Sequence, residues 1–273
     1  MTATPRPANL GPSYAAQFSD EGVADAYRYR PSYPAAIIDW LRELIPPEAP
    51  SVVDIGCGTG ELARRLAPFV EHVDAVDMSA AMLARGRLLK GGDHPSLSWI
   101  EARVEAASIA GPYGLAVAGE SLHWMDWETV LPRLARWLRP QAVLAIANRT
   151  TEAAEHPDQV RALIRRYSAN QEYRAFDLVG ELTQRRLFTE AGRRETSPAI
   201  LEMPLEDFVE SMHSRNGFCR TLMGSENAEA FDTELESLLR PTATAAGCVR
   251  IRHSGTLAWG WPASRGIDAD LQD

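Results

Sequence analysis

Residues 52–60 read Val-Val-Asp-Ile-Gly-Cys-Gly-Thr-Gly, and no other stretch constrains the chain as tightly. A short apolar run carries an acid, glycines follow at Gly56, Gly58 and Gly60, and a helix-like segment runs from Glu61 to Phe69. Having no Cβ, these glycines let the backbone turn sharply and approach a ligand closely. Free N–H groups at the start of the next helix face that ligand. The stretch reads as a strand, a tight turn and a helix that cradle a nucleotide-like cofactor. An ordinary tight turn is the plain alternative.

Spacing narrows the choice of cofactor. A dinucleotide fingerprint reads G-x-G-x-x-G after its strand. Here the third glycine comes one residue early, and Asp54 stands two residues before Gly56. A second apolar run, His72 to Asp77, also ends in an acid. Asp77 lies 17 residues after Gly60, which leaves room for one helix and one strand. Its carboxylate then sits at the end of the second strand, beside the turn, where it can accept from ribose hydroxyls. The alternative is an acid that caps a helix starting near Ser79. A nicotinamide enzyme stays as a rival reading.

The chain has 273 residues, 45% hydrophobic and 24% charged, which fits one large globular domain or one domain with an insertion. A net charge of −9 argues against a nucleic-acid partner. Cys57, Cys219 and Cys248 are odd in number and far apart, so neither a metal site nor a disulfide framework is expected. Met1 to Leu10 contains prolines and no apolar h-region, and no apolar run reaches the roughly 20 residues that span a bilayer. A cytoplasmic protein without a membrane partner is the expectation. The oligomeric state is left open.

Along the chain, residues 1–13 read as a disordered tail. A helix-like stretch from Ala15 to Tyr27, a turn at Tyr29–Pro34 and an amphipathic helix to about Leu44 follow. Strands are predicted at 51–55, 72–76, 97–101, 114–119 and 141–147, with helices at 60–68, 79–89 and 127–137. This alternation predicts an α/β fold with a doubly wound, parallel sheet and ligand sites at the strand C-termini. Beyond Arg149 the pattern predicts helices over 157–191, a strand over 195–203, helix over 204–240, a final strand over 248–262 and a tail over 263–273.

Several segments together resemble one family. VVDIGCGTG is followed by AVDMSAAML at 75–83, Ile-Glu-Ala-Arg-Val-Glu-Ala at 100–106, and a strand ending in Leu122-His123-Trp124. Residues 131–147 add a helix, an LRP turn at Leu138–Pro140 and a strand, and the N-terminus adds Phe18-Ser19 and the Tyr29–Pro34 run. The chain resembles the class I S-adenosylmethionine-dependent methyltransferases, in their small-molecule, type 11-like branch, firmly over 14–150 and loosely beyond. The resemblance implies a Rossmann-like, mostly parallel seven-stranded sheet with an antiparallel last strand. It also implies an N-terminal lid within 14–150, a mainly helical cap over 151–247 with one core strand near 195–203, and a final core strand over 248–262. It makes S-adenosylmethionine the cofactor. Tyr27, Arg30, Asp54, Gly56, Cys57, Gly58, Gly60, Asp77, Met78, Arg103, Val104 and Glu120 are then the expected cofactor contacts.

In that family Asp54 orders the glycine turn and the cofactor's amino group. Arg30 is a candidate for the methionine carboxylate, or else pairs with Asp20 or Glu21 at the surface. Cys57 fills a small-residue slot. Arg103 departs from the family pattern, where Asp accepts from the adenine amino group, because Arg cannot accept a hydrogen bond. It stacks on adenine or points away, while the Val104 N–H meets a ring nitrogen. His123 is a candidate general base or a packing residue, and Trp124 walls the cleft or the core. Tyr14, Phe18, Tyr27, Tyr29 and Tyr33 form an aromatic lid or ordinary core. Phe18 and Tyr33 join His123 and Trp124 in the expected substrate pocket. His213 and Arg215 either meet an acidic or phenolic acceptor or end a solvated helix. The implied activity is methyl transfer to a small organic acceptor, at a carboxylate or hydroxyl oxygen. Nitrogen or carbon acceptors, and a cofactor-binding protein without turnover, remain as alternatives.

Overall fold

The computed structural model describes residues 15–172 and 176–263. The strands are β1 (Ser51–Ile55), β2 (His72–Asp77), β3 (Leu97–Glu101), β4 (Tyr113–Gly119), β5 (Leu138–Ala153), β6 (Phe188–Glu195), β7 (Ala199–Pro204) and β8 (Cys248–Pro262). Their order is β3-β2-β1-β4-β5-β8-β6, with β7 also paired to β8. β1 pairs in parallel with β2 and β4, β2 with β3, and β4 with β5. β6 and β7 both pair antiparallel to β8. The order reverses between β1 and β4, the switch point outside which open α/β sheets hold their ligands.

The central strands read as continuous apolar runs because the sheet interior is buried on both faces. Val52, Val53, Ile55, Val73, Leu115, Val117 and Ala145 are all fully buried. The helix Ala35–Glu43 turns Ile37, Ile38 and Leu41 into the same core, and the helix Glu61–Leu66 adds Leu62, Ala63 and Leu66. Arg42 and Arg65, one per helix, sit outside that stripe, as amphipathic spacing requires.

The expected antiparallel end of the sheet is present, but with more strand than the sequence suggested. Helix was expected to 191 and a single strand over 195–203. Instead the helix Leu178–Gln184 stops early, and β6 and β7 lie one after the other along the length of β8. Among the described residues the sheet therefore has eight strands rather than seven. Pro198, which has no N–H to give a ladder, falls in the gap between β6 and β7. The segment expected as helix over 204–240 is broken into Leu205–Met212, Arg220–Met223 and Ser225–Leu239. Gly217 and Gly224, both with positive φ, mark the breaks.

The chain divides into two compact units. A sheet unit comprises Tyr33–Asn148, Ala175–Thr196 and Gly255–Asp273; a cap unit comprises Met1–Ser32, Arg149–Arg174 and Ser197–Ser254. The N-terminal lid segment thus groups with the cap rather than with the glycine turn. The cap unit has its own core, in which Phe208, Met212, Phe218, Phe231 and Leu235 are buried. The tails expected over 1–13 and 263–273 lie, apart from Ala263, outside the described residues.

Candidate functional site

In the sheet unit, Gly56, Gly58 and Gly60 have φ of +61°, +56° and +69°. At Gly60 two physical reasons exclude a side chain. The conformation is left-handed, and a Cβ there would lie 2.4 Å from the Trp99 ring. The same ring edge fills the space beside Gly86, and the Trp99 indole donates to the Gly92 carbonyl at 2.8 Å. Trp99 on β3 therefore wedges between the glycine turn and the helix Ala80–Leu88, a role the sequence reading missed. Paired small residues in the two elements were its only trace.

Asp77 closes the turn from the other side. Its Oδ2 accepts from Gly58 N–H at 2.8 Å and its Oδ1 from Ser79 N–H at 2.8 Å. Ser79 itself caps the helix Ala80–Leu88 by accepting from Met82 N–H. A carboxylate has about four acceptor lobes, so capacity remains for another donor. Burial pushes the Asp77 carboxyl up, against the N–H bonds from Ser79, Gly58 and Met78 that pull it down.

Asp54 is 1% exposed and points at the helix Glu61–Leu66, accepting from Ala63 N–H at 3.1 Å. The N-cap residue, Gly60, has no side chain to cap this helix, so an acid from β1 does so. Burial pushes the Asp54 carboxyl up to about 7; the Ala63 bond opposes this and the Asp77 charge adds to it. Cys57 packs against the core, and burial lifts its thiol well above the usual range, so it fills space rather than reacts. Met78, next to Asp77, is 45% exposed, an apolar surface beside the turn. Val104 is buried. The Arg103 side chain is largely exposed, 3.7 Å from the Glu105 carboxylate.

The loop after β4 is strained and tightly bonded. Glu120 has φ +52°, rare for a residue with a Cβ, and its N–H donates to the Ala147 carbonyl. The Ser121 hydroxyl donates to the Ile55 carbonyl at 2.6 Å, tying the end of β4 to the end of β1. The Leu122–Trp124 turn follows, with the His123 and Trp124 rings 4.6 Å apart, both partly exposed. Tyr33, expected in the substrate pocket, is buried in the sheet core instead; a Cβ on Gly119 would lie 2.8 Å from its hydroxyl. Its N–H donates to Glu61 Oε1 and its carbonyl accepts from Arg65, so the segment is fixed to the helix that follows the glycine turn.

The cap unit gathers Phe18, Tyr27, Arg30 and Arg215. Phe18 meets Tyr27 edge-on at 6.4 Å, and the Arg30 guanidinium lies 4.3 Å above the Tyr27 ring. Arg30 Nε and Nη2 donate to the Ser214 hydroxyl and carbonyl, at 2.7 and 2.9 Å. The Asp20 partner considered from sequence instead caps the helix Glu21–Ala26 and accepts from Thr221. Arg215 is partly exposed and donates to the Thr151 carbonyl at 3.3 Å. Tyr14 lies outside the described residues.

His213 corrects both sequence readings, acceptor contact and solvated helix end. It is 2% exposed, with Nδ1 2.8 Å from the Phe218 carbonyl and Nε2 2.7 Å from Asp232. Asp232 in turn accepts from Arg220. Both ring nitrogens are spent on holding the cap's own helices together. His253, which the sequence reading did not single out, does similar work: Nε2 donates to the Ser32 carbonyl at 2.9 Å, while Nδ1 lies beside Thr150 and Thr151. Among the described residues no cluster of His, Cys, Asp and Glu could hold a metal ion, and no helix is long and apolar enough to cross a membrane.

A family model described as a methyltransferase domain matches residues 52–141, which contain the glycine turn, Asp77 and the loop after β4. The chain is similar to trans-aconitate 2-methyltransferase of Azoarcus sp., 38% identical over 114 residues that cover 40% of this chain and 42% of that protein. It is also similar to the biotin biosynthesis bifunctional protein BioCD of Bordetella avium, at 31% over 50% of this chain and 30% of that one. The chain spans less than half the length of these curated relatives. A solved structure of a putative type II methyltransferase from Anaeromyxobacter dehalogenans shares the fold, with a TM-score of 0.64 and 24% identity over 86% of this chain and 99% of that one.

Proposed function

We propose that the chain is a class I S-adenosylmethionine-dependent methyltransferase, with S-adenosylmethionine as its cofactor, and that it methylates a carboxylate oxygen of a small organic acid. The observation that carries the acceptor class is the similarity to trans-aconitate 2-methyltransferase, 38% identical over 114 residues.

The residues of the sheet unit fit the cofactor. Side chains are excluded from the turn at Gly60, Asp77 keeps acceptor capacity after its backbone bonds, and Met78 offers an apolar surface beside them. Asp77 accepts from the ribose hydroxyls, and the Gly56–Gly60 backbone lies along the cofactor's amino-acid portion. Asp54 holds the turn from beneath through Ala63. Val104 N–H and Met78 serve the adenine, with the Arg103 side chain directed outward to Glu105. Glu120 closes the pocket from the loop after β4.

When bound, S-adenosylmethionine supplies an already activated methyl group, so in-line displacement needs alignment and a dry pocket more than bond activation. A carboxylate oxygen attacks without losing a proton first, which leaves His123 and Trp124 to shape the pocket. A hydroxyl acceptor would instead call on His123 as base. We place the reaction in the cytoplasm, where free Cys57, Cys219 and Cys248 stay reduced.

The test is release of S-adenosylhomocysteine across a panel of di- and tricarboxylates including trans-aconitate, phenols and amines. Base-labile methyl esters are the expected products. Turnover of phenols or amines alone would move the acceptor to the alternative classes. Cofactor binding with no turnover would point to a binding protein without catalysis.

A further inference from the structure

We propose that His213 is a proton-dependent latch of the cap unit: protonated on both ring nitrogens it ties the Phe218 carbonyl to Asp232, and loss of one proton releases the turn His213–Gly217. Every residue involved belongs to the cap unit. Both nitrogens face oxygens, Nδ1 at 2.8 Å from the Phe218 carbonyl and Nε2 at 2.7 Å from Asp232 Oδ1. A carbonyl oxygen only accepts, and so does an ionised carboxylate. A neutral imidazole has one N–H, so it serves one of these oxygens and turns a lone pair on the other. The imidazolium has two and serves both.

Asp232 is held in its ionised form. Burial raises its carboxyl, but the bonds from His213 and Arg220 outweigh burial and leave it below the ordinary range. Asp232 Oδ2 accepts from Arg220 Nη1 at 2.7 Å, and Arg220 Nη2 donates to Glu210 Oε1 at 2.7 Å. The chain Glu210–Arg220–Asp232–His213 alternates acid and base, and is neutral as a whole only while the ring carries its second proton. Other charges sit farther out on the packed elements: Arg30 bonds Ser214, Asp20 accepts from Thr221, and Arg166 pairs with Glu234.

His253 provides the contrast. Its nitrogens also lie near two backbone carbonyls, of Ser32 and Thr150, but the Thr151 hydroxyl is 3.4 Å from Nδ1 and can donate to it. One proton is enough for that ring. The hydroxyls beside His213 in the chain offer no such substitute, because Ser211 donates to the Phe208 carbonyl and Ser214 to the Ser211 carbonyl. When His213 loses a proton to solvent, Nε2–H stays with the carboxylate, since that bond is charge-assisted. Nδ1 is left with a lone pair against the Phe218 carbonyl, and the turn opens there. The His213 side chain is 3% exposed and that of Asp232 19%, so the proton leaves past the carboxylate. The bond to Phe218 is thus present at low pH and lost as pH rises. Because the same turn carries Ser214, its release also frees Arg30 and the 27–30 segment of the cap unit.

The test follows the full chain from about pH 5 to about pH 9, the range over which a histidine changes charge. Nitrogen-15 spectra read the His213 ring, assigned by its loss in His213→Gln, and hydrogen exchange reads the amides of Arg215–Met223, corrected for their intrinsic pH dependence. Two ring N–H groups should be present where protection is highest. Protection should fall about tenfold, the scale of one hydrogen bond, as one nitrogen loses its proton. His213→Gln keeps a donor for Asp232 and does not titrate, so the step should vanish. Asp232→Asn keeps an oxygen for the ring but removes the charge, so the step should move to lower pH. A single ring N–H across the whole range, protection without a step where the ring titrates, or the same step in His213→Gln would each overturn the latch. Should His213→Gln not fold, Asp232→Asn decides, and a step that stays in place there overturns it.

Discussion

The turns Gly56–Gly60 and His213–Gly217 are both sharp and both rigid, but different forces hold them. In the sheet unit the glycine turn is shaped by exclusion: left-handed backbone, an aromatic ring where a side chain would go, and two acids on strands immediately before and after it. In the cap unit the turn is held by side chains that arrive from far along the chain. Gln17 reaches Asn216 and Gly217 across 199 and 200 residues, and Arg30 reaches Ser214 across 184. The first turn tolerates almost no added volume. The second depends on hydrogen bonds from distant side chains.

The comparison is broken most forcefully at Gly60. Gly60→Ala adds left-handed strain to an overlap with Trp99, and should destabilise the protein by about 2–5 kcal/mol in urea unfolding. A loss below about 0.5 kcal/mol would mean that the turn is not shaped by exclusion.

Asp54 gives the next largest effect, through pH. Its carboxyl is lifted from the ordinary 3.8 to about 7 in the folded chain. A raised carboxyl contributes stability that is complete below its unfolded value and is lost as pH rises through the folded one. Asp54→Asn keeps an oxygen for Ala63 and does not titrate. The variant should therefore gain on the wild type from about pH 4 to about pH 7, by on the order of 2–4 kcal/mol, and hold that gain above. Parallel pH–stability curves would show that Asp54 is not buried as drawn.

In the cap, His213→Ala leaves Asp232 and the Phe218 carbonyl without their partner and should cost about 2 kcal/mol. Hydrogen exchange should localise the loss to Leu205–Leu239, with S-adenosylhomocysteine affinity intact. A loss of that affinity would instead couple His213 to the cofactor site. The smallest effect is expected at Arg103, whose exposed pair with Glu105 is worth about 0–1 kcal/mol. Arg103→Ala should change neither stability nor cofactor affinity measurably, whereas a tenfold loss of affinity would restore the adenine-stacking role.

The same contrast explains what the sequence reveals. Asp54, Gly56, Gly60 and Asp77 stand at the ends of short apolar runs, where strand geometry carries each side chain to the switch point, so spacing alone locates them. Trp99 was missed because the signal of its packing lies in absent side chains at Gly60 and Gly86. The helix expected to 191 overruns the start of β6 because Thr189–Glu195 is polar on both faces at the sheet edge, where neither period of burial is imposed. His213 and Asn216 look like ordinary residues at a helix end, because their partners Asp232 and Gln17 are set by packing and not by spacing.

The central claim is that the glycine turn and Asp77 hold S-adenosylmethionine, and calorimetric titration of the wild type and Asp77→Ala with S-adenosylhomocysteine and with NAD tests it most directly. The wild type should bind S-adenosylhomocysteine and not NAD, and Asp77→Ala should weaken that binding by about 1–3 kcal/mol. Binding of NAD in place of S-adenosylhomocysteine, or equal affinity in the two proteins, would contradict it.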